Sequence, residues 1–311
     1  MNTVVSTTLE AIGNTPLVRL NKVVPSSSAE IFVKLEYYNP TGSYKDRMAR
    51  AVIEEAEKRG ELRPGMTVVE YTGGSTGSSL AFVCAVKGYP LKIVSSDAFA
   101  QEKLRTMRAF GADVIIVPSQ NGQTTPDLIP RMREVARELA SHGDTYWINQ
   151  LYNQDVPSGY TSIGYELIEQ LNGRIDAACA GVGTAGMLMG VARVLRSQMP
   201  QARIVALEPA SSPVISSGVP GTHRVEGISV GLVPPLLDAA YYDEVRTVDE
   251  QEGRQMARRL AREEGIFAGI SSGLNVVAAL KLAQELGAGS TVVTIAVDSG
   301  LKYLSGDLYQ S

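Results

Sequence analysis

The chain has 311 residues, 44% of them hydrophobic and 20% charged, with a formal net charge of −4. That length supports two lobes with separate cores, and mild acidity without basic blocks excludes an electrostatic footprint for nucleic acid or an anionic membrane, which leaves small molecules as partners. No apolar stretch approaches the ~20 residues of a membrane span, and the start, MNTVVSTTLEAIGNTP, lacks a basic segment followed by an apolar core, so a cytoplasmic protein is expected.

Along the chain, EIFVKLEYYN (30–39) reads as an extended segment closed by Pro40 and Gly42, with Ser43 as N-cap of a helix running from Tyr44 to Gly60. Lys45 then falls in the first turn, where unpaired N–H groups and the helix dipole already place partial positive charge. It shares the apolar face with Met48, Ala49, Val52 and Ala56, whereas Arg47, Arg50, Glu54 and Lys58 lie mostly elsewhere. An ordinary lysine there snorkels to solvent. A desolvated one in positive potential loses its proton and becomes a nucleophile, a base or a Schiff-base former.

From residue 67 onward β-branched runs alternate with helical patterns: TVVEY, SSLAFVCAVKG, LKIVSS, AQEKLRTMRAFG, DVIIVP, LIPRMREVARELASH, TYWINQ, DAACAG, ARIVALEP and, near the end, STVVTIAVD. This rhythm predicts an α/β fold of βα units on mostly parallel twisted sheets flanked by helices, with ligands beyond the carboxyl ends of the strands. Three such ends carry unusual runs of small and hydroxylated residues: TGGSTG (72–77), GVGTAG (181–186) and SGLKYLS (299–305). Each brings backbone N–H groups to a strand-to-helix junction, which makes an anion site. The stretch 209–245 is the one long irregular region and reads as functional. Cys84 and Cys179 sit in apolar runs and read as packing, and His142 and His223 are too isolated for a zinc site or a triad, so no metal is expected.

GVGTAG permits two readings. As a dinucleotide fingerprint, with Glu208 as the ribose-binding acid, it implies an NAD-binding oxidoreductase but leaves Lys45 and TGGSTG without a role. Giving a phosphate to GVGTAG, a carboxylate to TGGSTG and the amine of Lys45 to an aldehyde uses all three features. A phosphate and an aldehyde on the cofactor, with a carboxylate and an amine on the substrate, describe pyridoxal 5'-phosphate and an amino acid.

The ordered motifs resemble the cysteine synthase (O-acetylserine sulfhydrylase) and cystathionine β-synthase family of fold-type II pyridoxal-phosphate enzymes. They are IGNTPLVRL (12–20), KLEYYNPTGSYKDR (34–47), EYTGGSTG (70–77), AGVGTAGMLMG (180–190), VEGISVGLVP (225–234), FAGISSG (267–273) and VDSGLKYLS (297–305), and they cover nearly the whole chain. The resemblance implies a tryptophan synthase β-like homodimer. It also implies a smaller mobile substrate-loop lobe (1–12 and 37–148) and a larger cofactor-phosphate lobe (13–36 and 149–311). Lys45 would be the Schiff-base lysine and the base at the substrate Cα. Gly183, Thr184, Ala185, Gly186 and Met187 would cradle the phosphate, and Ser299 would face the pyridine nitrogen. Thr72, Gly73, Ser75, Thr76, Gln150 and Gly227 would bind the substrate, with Ser75 also near the cofactor.

The neutral hydrogen bond of Ser299 makes the ring a weaker electron sink, which suits β-replacement on an activated L-serine (O-acetylserine or O-phosphoserine) through an aminoacrylate. Asp298 is adjacent, but strand alternation points it the other way. Elimination with deamination to a keto acid is the alternative outcome. Against the family pattern, Gly73 and Ser75 replace a serine and an asparagine, Tyr44 replaces a common valine, and Gly159 stands where sulfide-using relatives often carry histidine. The lost volume predicts a wider pocket, open to a larger thiol or an amine as well as sulfide. Arg224 is a candidate partner for a phosphate leaving group.

Overall fold

The computed structural model describes residues 4–122, 125 and 127–310, so positions 1–3, 123, 124 and 126 of the expected smaller lobe lie outside the described residues. Contacts divide the chain into two compact units, Met1–Ile12 with Asn39–Gly159 and Gly13–Tyr38 with Tyr160–Ser311. The larger unit begins with β1 (Leu17–Arg19) and β2 (Glu30–Leu35). The smaller follows with α1 (Lys45–Lys58), β3 (Thr67–Tyr71), α2 (Ser75–Lys87), β4 (Leu91–Ser95), α3 (Gln101–Ala109), β5 (Asp113–Ile116), α4 (Leu128–Ala140) and β6 (Thr145–Trp147). The larger resumes with α5 (Thr161–Gln170), β7 (Ala177–Gly181), α6 (Gly186–Gln198), β8 (Arg203–Pro209) and α7 (Val214–Ser217). It ends with β9 (Glu244–Val248), α8 (Glu250–Arg259), α9 (Ile270–Leu286) and β10 (Thr291–Ala296).

The smaller unit's sheet has the order β5-β4-β3-β6, with every pairing parallel. Its core joins Val69, Tyr71 and Val94 to Leu128, Met132 and Ala136, a stripe at four-residue spacing on α4. The larger sheet has the order β1-β2-β10-β7-β8-β9 and is parallel except for β1 on β2. β10 lies inside it and all six of its residues, TVVTIA, are buried, as a strand covered on both faces requires. Two adjacencies matter for function. β3 neighbours β6, which puts TGGSTG and Gln150 at one sheet end; β7 neighbours β10, which does the same for GVGTAG and Ser299.

Three local expectations shift. The extended run from Glu30 stops at Leu35, because Glu36–Tyr38 forms a 3-10 turn whose buried Glu36 accepts from Thr15 Oγ1 at 2.7 Å. SGLKYLS opens a single 3-10 turn, Gly300–Tyr303, rather than a helix. The stretch 149–159 packs with the smaller unit instead of the larger. Its Gln150 N–H donates to Glu70 Oε2 at 3.0 Å, and Gly159 approaches α1 so closely that a Cβ there would lie 2.9 Å from Arg47 O and from Met48 Cα.

Candidate active site

Lys45 is the first residue of α1. Tyr44, immediately before it, is already helical in backbone (φ −58°, ψ −18°) and makes no side-chain cap; Ser43 Oγ instead accepts from Lys45 N at 3.3 Å. Asp46 is fully buried and takes the Thr41 amide at 2.8 Å and the Thr41 hydroxyl at 2.5 Å, which closes the NPTGS loop onto the first turn. An acid there also suits the positive helix end. Lys45 is 9% exposed, with Nζ 4.9 Å from the Tyr44 ring centroid, and burial pushes its amine down to about 8, partly opposed by the charge of Glu70. Lys34, the other lysine of the KLEYYNPTGSYKDR segment, shows the contrast: it pairs with Glu166 at 2.6 Å and donates to Thr15 O and Gln170 Oε1. Arg47, expected off the apolar face, is buried too, since the Gly159 segment covers that side of α1.

The TGGSTG loop is braced from below. Thr72 Oγ1 accepts from Gly74 N at 3.1 Å, Ser95 Oγ donates to Thr72 O at 2.9 Å, and a Cβ at Gly77 would meet Thr72 Cγ2 at 2.8 Å. Gly74 opens α2 with no side-chain cap, so the first amides of α2 form a ready anion site. Thr76 Oγ1 donates to Gln150 Oε1 at 2.8 Å, which turns the Gln150 amide donors outward. Sequence reasoning missed the anchor of this arrangement. Glu70, fully buried at the end of β3, accepts from Tyr71 N at 2.7 Å and from Gln150 N at 3.0 Å; burial raises its carboxyl to about 8, and these bonds partly counter the rise.

In the larger unit, GVGTAG leaves β7 and enters α6 through Ala185, which is left-handed at φ 67° and supplies no side-chain cap. A Cβ at Gly183 would stand 2.2 Å from Gly227 O, so glycine is required there, and Ser229 N donates to Val182 O at 2.8 Å. Gly227, expected at the substrate, thus has its carbonyl against Gly183 of the GVGTAG turn. Small residues, an uncapped helix end and this close approach fit the phosphate of pyridoxal phosphate, as the buried amine of Lys45 fits its aldehyde. Met187 lies within α6's first turn, where backbone N–H groups have no intrahelical acceptor. Ser299 Oγ accepts from Leu301 N at 3.2 Å, and Ala268 pairs with Ser299 in an isolated bridge. Asp298 is buried and accepts from Tyr303 Oη at 2.7 Å. Asn275, a second residue the sequence did not disclose, ties both strand ends together: its Oδ1 accepts from Gly181 N and its Nδ2 donates to Ile295 O, each at 2.8 Å.

The remaining candidates have structural duties. Glu208 accepts from Ile215 N, Ser216 N and Ser216 Oγ and so caps α7, which removes the ribose-binding acid of the dinucleotide reading. His223 Nδ1 accepts from Val225 N and Nε2 lies 3.0 Å from Ser229 O, bracing the Gly227 loop, while His142 is exposed. Both thiols are buried and raised to about 12. Among the described residues no His, Cys, Asp or Glu cluster could hold a metal, and no helix is long and apolar enough to cross a membrane. Arg224 is a surface residue, with a side chain 79% exposed and a long 3.8 Å contact to Asp307.

The space expected beside Gly73 and Gly159 is occupied. A Cβ at Gly73 would strike the Phe99 ring at 2.7 Å, and one at Gly159 would strike the backbone of α1, so both glycines mark volume that other groups already fill.

Residues 8–298 match the family described as pyridoxal-phosphate dependent enzyme. A cysteine synthase of Staphylococcus aureus (strain Mu50 / ATCC 700699) is 43% identical over 302 residues, 96% of each chain. The crystal structure of an O-ureido-L-serine synthase superposes with a TM-score of 0.91 at 36% identity, covering 99% of this chain and 96% of its own. An O-acetylserine dependent cystathionine beta-synthase from Helicobacter pylori gives 0.92 at 35% identity, with 99% of both chains covered. The chain belongs to the pyridoxal-phosphate-dependent enzymes, in their cysteine synthase branch.

Proposed function

We propose that this enzyme carries out β-replacement on an activated L-serine, with O-acetylserine as the first substrate to test. The observation that carries the reading is Lys45, a buried amine on a helix's first turn whose pKa is depressed to about 8. The comparisons support it through names that share a substituted alanine and differ in the group on its β carbon: cysteine synthase, cystathionine beta-synthase and O-ureido-L-serine synthase.

Pyridoxal phosphate, when bound, supplies the carbonyl that captures the amino group and the electron sink for the Cα carbanion. This chain's residues do the rest. The turn into α6, from Gly183 to Met187, would hold the phosphate, and Ser299 would offer a neutral hydrogen bond to the pyridine nitrogen. Thr72, Gly73, Ser75 and Thr76 at the α2 N-terminus, with Gln150, orient the substrate carboxylate, and Gly227 borders the substrate. Lys45 Nζ, with its pKa brought down to about 8, would hold the cofactor in the resting enzyme and would take the Cα proton. On this reading the smaller unit is the substrate-loop domain and the larger the phosphate domain. The enzyme is a cytoplasmic homodimer, as the resemblance implies.

The test is Lys45→Ala with O-acetylserine and sulfide, followed by product mass analysis. Wild type should be yellow and form cysteine. The variant should fold, lose the visible band of the lysine-bound cofactor, and lose turnover by roughly three orders of magnitude or more. Retained turnover would refute the assignment, and ammonia release without an added nucleophile would move the reading to elimination.

A further inference from the structure

In the TGGSTG loop, Thr72, Gly74 and Thr76 are buried, whereas Gly73 and Ser75 keep partly exposed faces. A carboxylate held by the loop's amides places the substrate's β carbon only two bonds away, so whatever joins that carbon passes close to the exposed face. At Gly73 this face is bounded by Phe99: an added Cβ would lie 2.7 Å from Cε1 and 2.9 Å from both Cδ1 and Cζ of the ring. At Gly74 the neighbour is the carbon chain of Lys103, whose Cδ would be 2.5 Å from an added Cβ. The start of α3 thus lies along the loop's two glycines.

The ring is held in place. Phe99 is half-buried and packs against the Tyr71–Leu128 core. The turn that carries it is fixed by Phe99 N to Ser96 O at 3.3 Å, Ala98 N to Ser96 Oγ at 3.3 Å, and Ser119 N to Asp97 Oδ1 at 2.8 Å. We propose that Phe99 determines acceptor specificity: its ring, seated over Gly73, is the wall that limits the size of the group added to the β carbon and favours sulfide over bulky thiols and amines. This inference rests on the β-replacement reading and on TGGSTG as the carboxylate loop. The physical basis is that a rigid apolar wall in van der Waals contact with the loop leaves no room for a second ring, and removing it opens a side-chain-sized space.

The experiment compares kcat/KM for sulfide and for benzyl mercaptan, with O-acetylserine, in wild type, Phe99→Ala, Gly73→Ser and the double variant. Wild type should prefer sulfide, and Phe99→Ala should raise the ratio of benzyl mercaptan to sulfide by about tenfold or more. Gly73→Ser alone should lower the melting temperature, and Phe99→Ala should relieve that loss in the double variant, a coupling read without any turnover. If Phe99→Ala folds poorly, Phe99→Leu should shift the ratio in the same direction by a smaller factor. A wild type that prefers the aromatic thiol, or a ratio unmoved in a variant that still makes cysteine, would overturn the specificity role alone. Absence of any substituted alanine from wild type would overturn the β-replacement reading and the role with it.

Discussion

At the scale of single residues, the protonation of Lys45 makes a prediction that needs no substrate. In the apoprotein its amine titrates near 8, against an ordinary 10.5, because burial disfavours the charge. Between those two values the unfolded chain binds more protons, so the group's contribution to stability rises with pH across that window and is flat below it. Lys45→Met apoprotein should therefore be more stable than wild type at pH 7 by about 3 kcal/mol, and the gain should fade as pH approaches 10.5. Urea titrations across that range check it, and a gain independent of pH would mean that the amine is not the source.

Glu70 gives a second expectation. Glu70→Gln keeps the shape but sets an NH2 group, which cannot accept, against one of the two N–H donors, from Tyr71 or Gln150, that the carboxyl oxygens now satisfy. Mispairing of about 1 to 3 kcal/mol should loosen Gln150 and raise KM for O-acetylserine roughly tenfold with a smaller change in kcat, measured by initial rates. Lys45 was legible in the sequence because helical period and dipole are local properties. Glu70 was not, since its value comes from a segment eighty positions later returning to its oxygen.

Among the elements, the junctions after β3, β7 and β10 were readable because strand runs and small-residue turns are written consecutively. What fills the space above a glycine is not. The volume inferred at Gly73 and Gly159 is taken by Phe99 and by α1, groups brought there only by tertiary packing. Gly183 turns the same principle into a measurement. Gly183→Ala should push Gly227 O and the phosphate loop apart, since 2.2 Å is far inside contact distance. The variant should keep its far-ultraviolet dichroism yet elute from gel filtration with little of its visible absorbance. Full retention of the cofactor would show that the phosphate binds elsewhere. Asn275 illustrates why second-rank residues stay hidden: within α9 it reads as an unremarkable polar position, and only the pairing of β7 beside β10 gives its amide two strand ends to hold.

For the whole molecule, the α/β class and the parallel sheets were legible because apolar strand runs report burial on both faces. Stripping the cofactor should lower the melting temperature by about 5 to 10 °C, since a ligand that binds only the folded state stabilises it by mass action. Scanning calorimetry of the holoenzyme and apoenzyme checks this, and Gly183→Ala should show almost no gap.

Chain order has a further consequence for biosynthesis. β2 pairs along its whole length with β10, from Glu30 with Thr291 to Leu35 with Ala296, whereas the four strands of the smaller unit all fall between Thr67 and Trp147. The smaller sheet can therefore assemble while the ribosome is still at work, but β2 waits for a partner made about 260 residues after it. Any ribosome that stalls between residues 35 and 291 leaves β2 with an edge of unpaired amides and carbonyls toward the missing β10, an edge open to pairing with other chains.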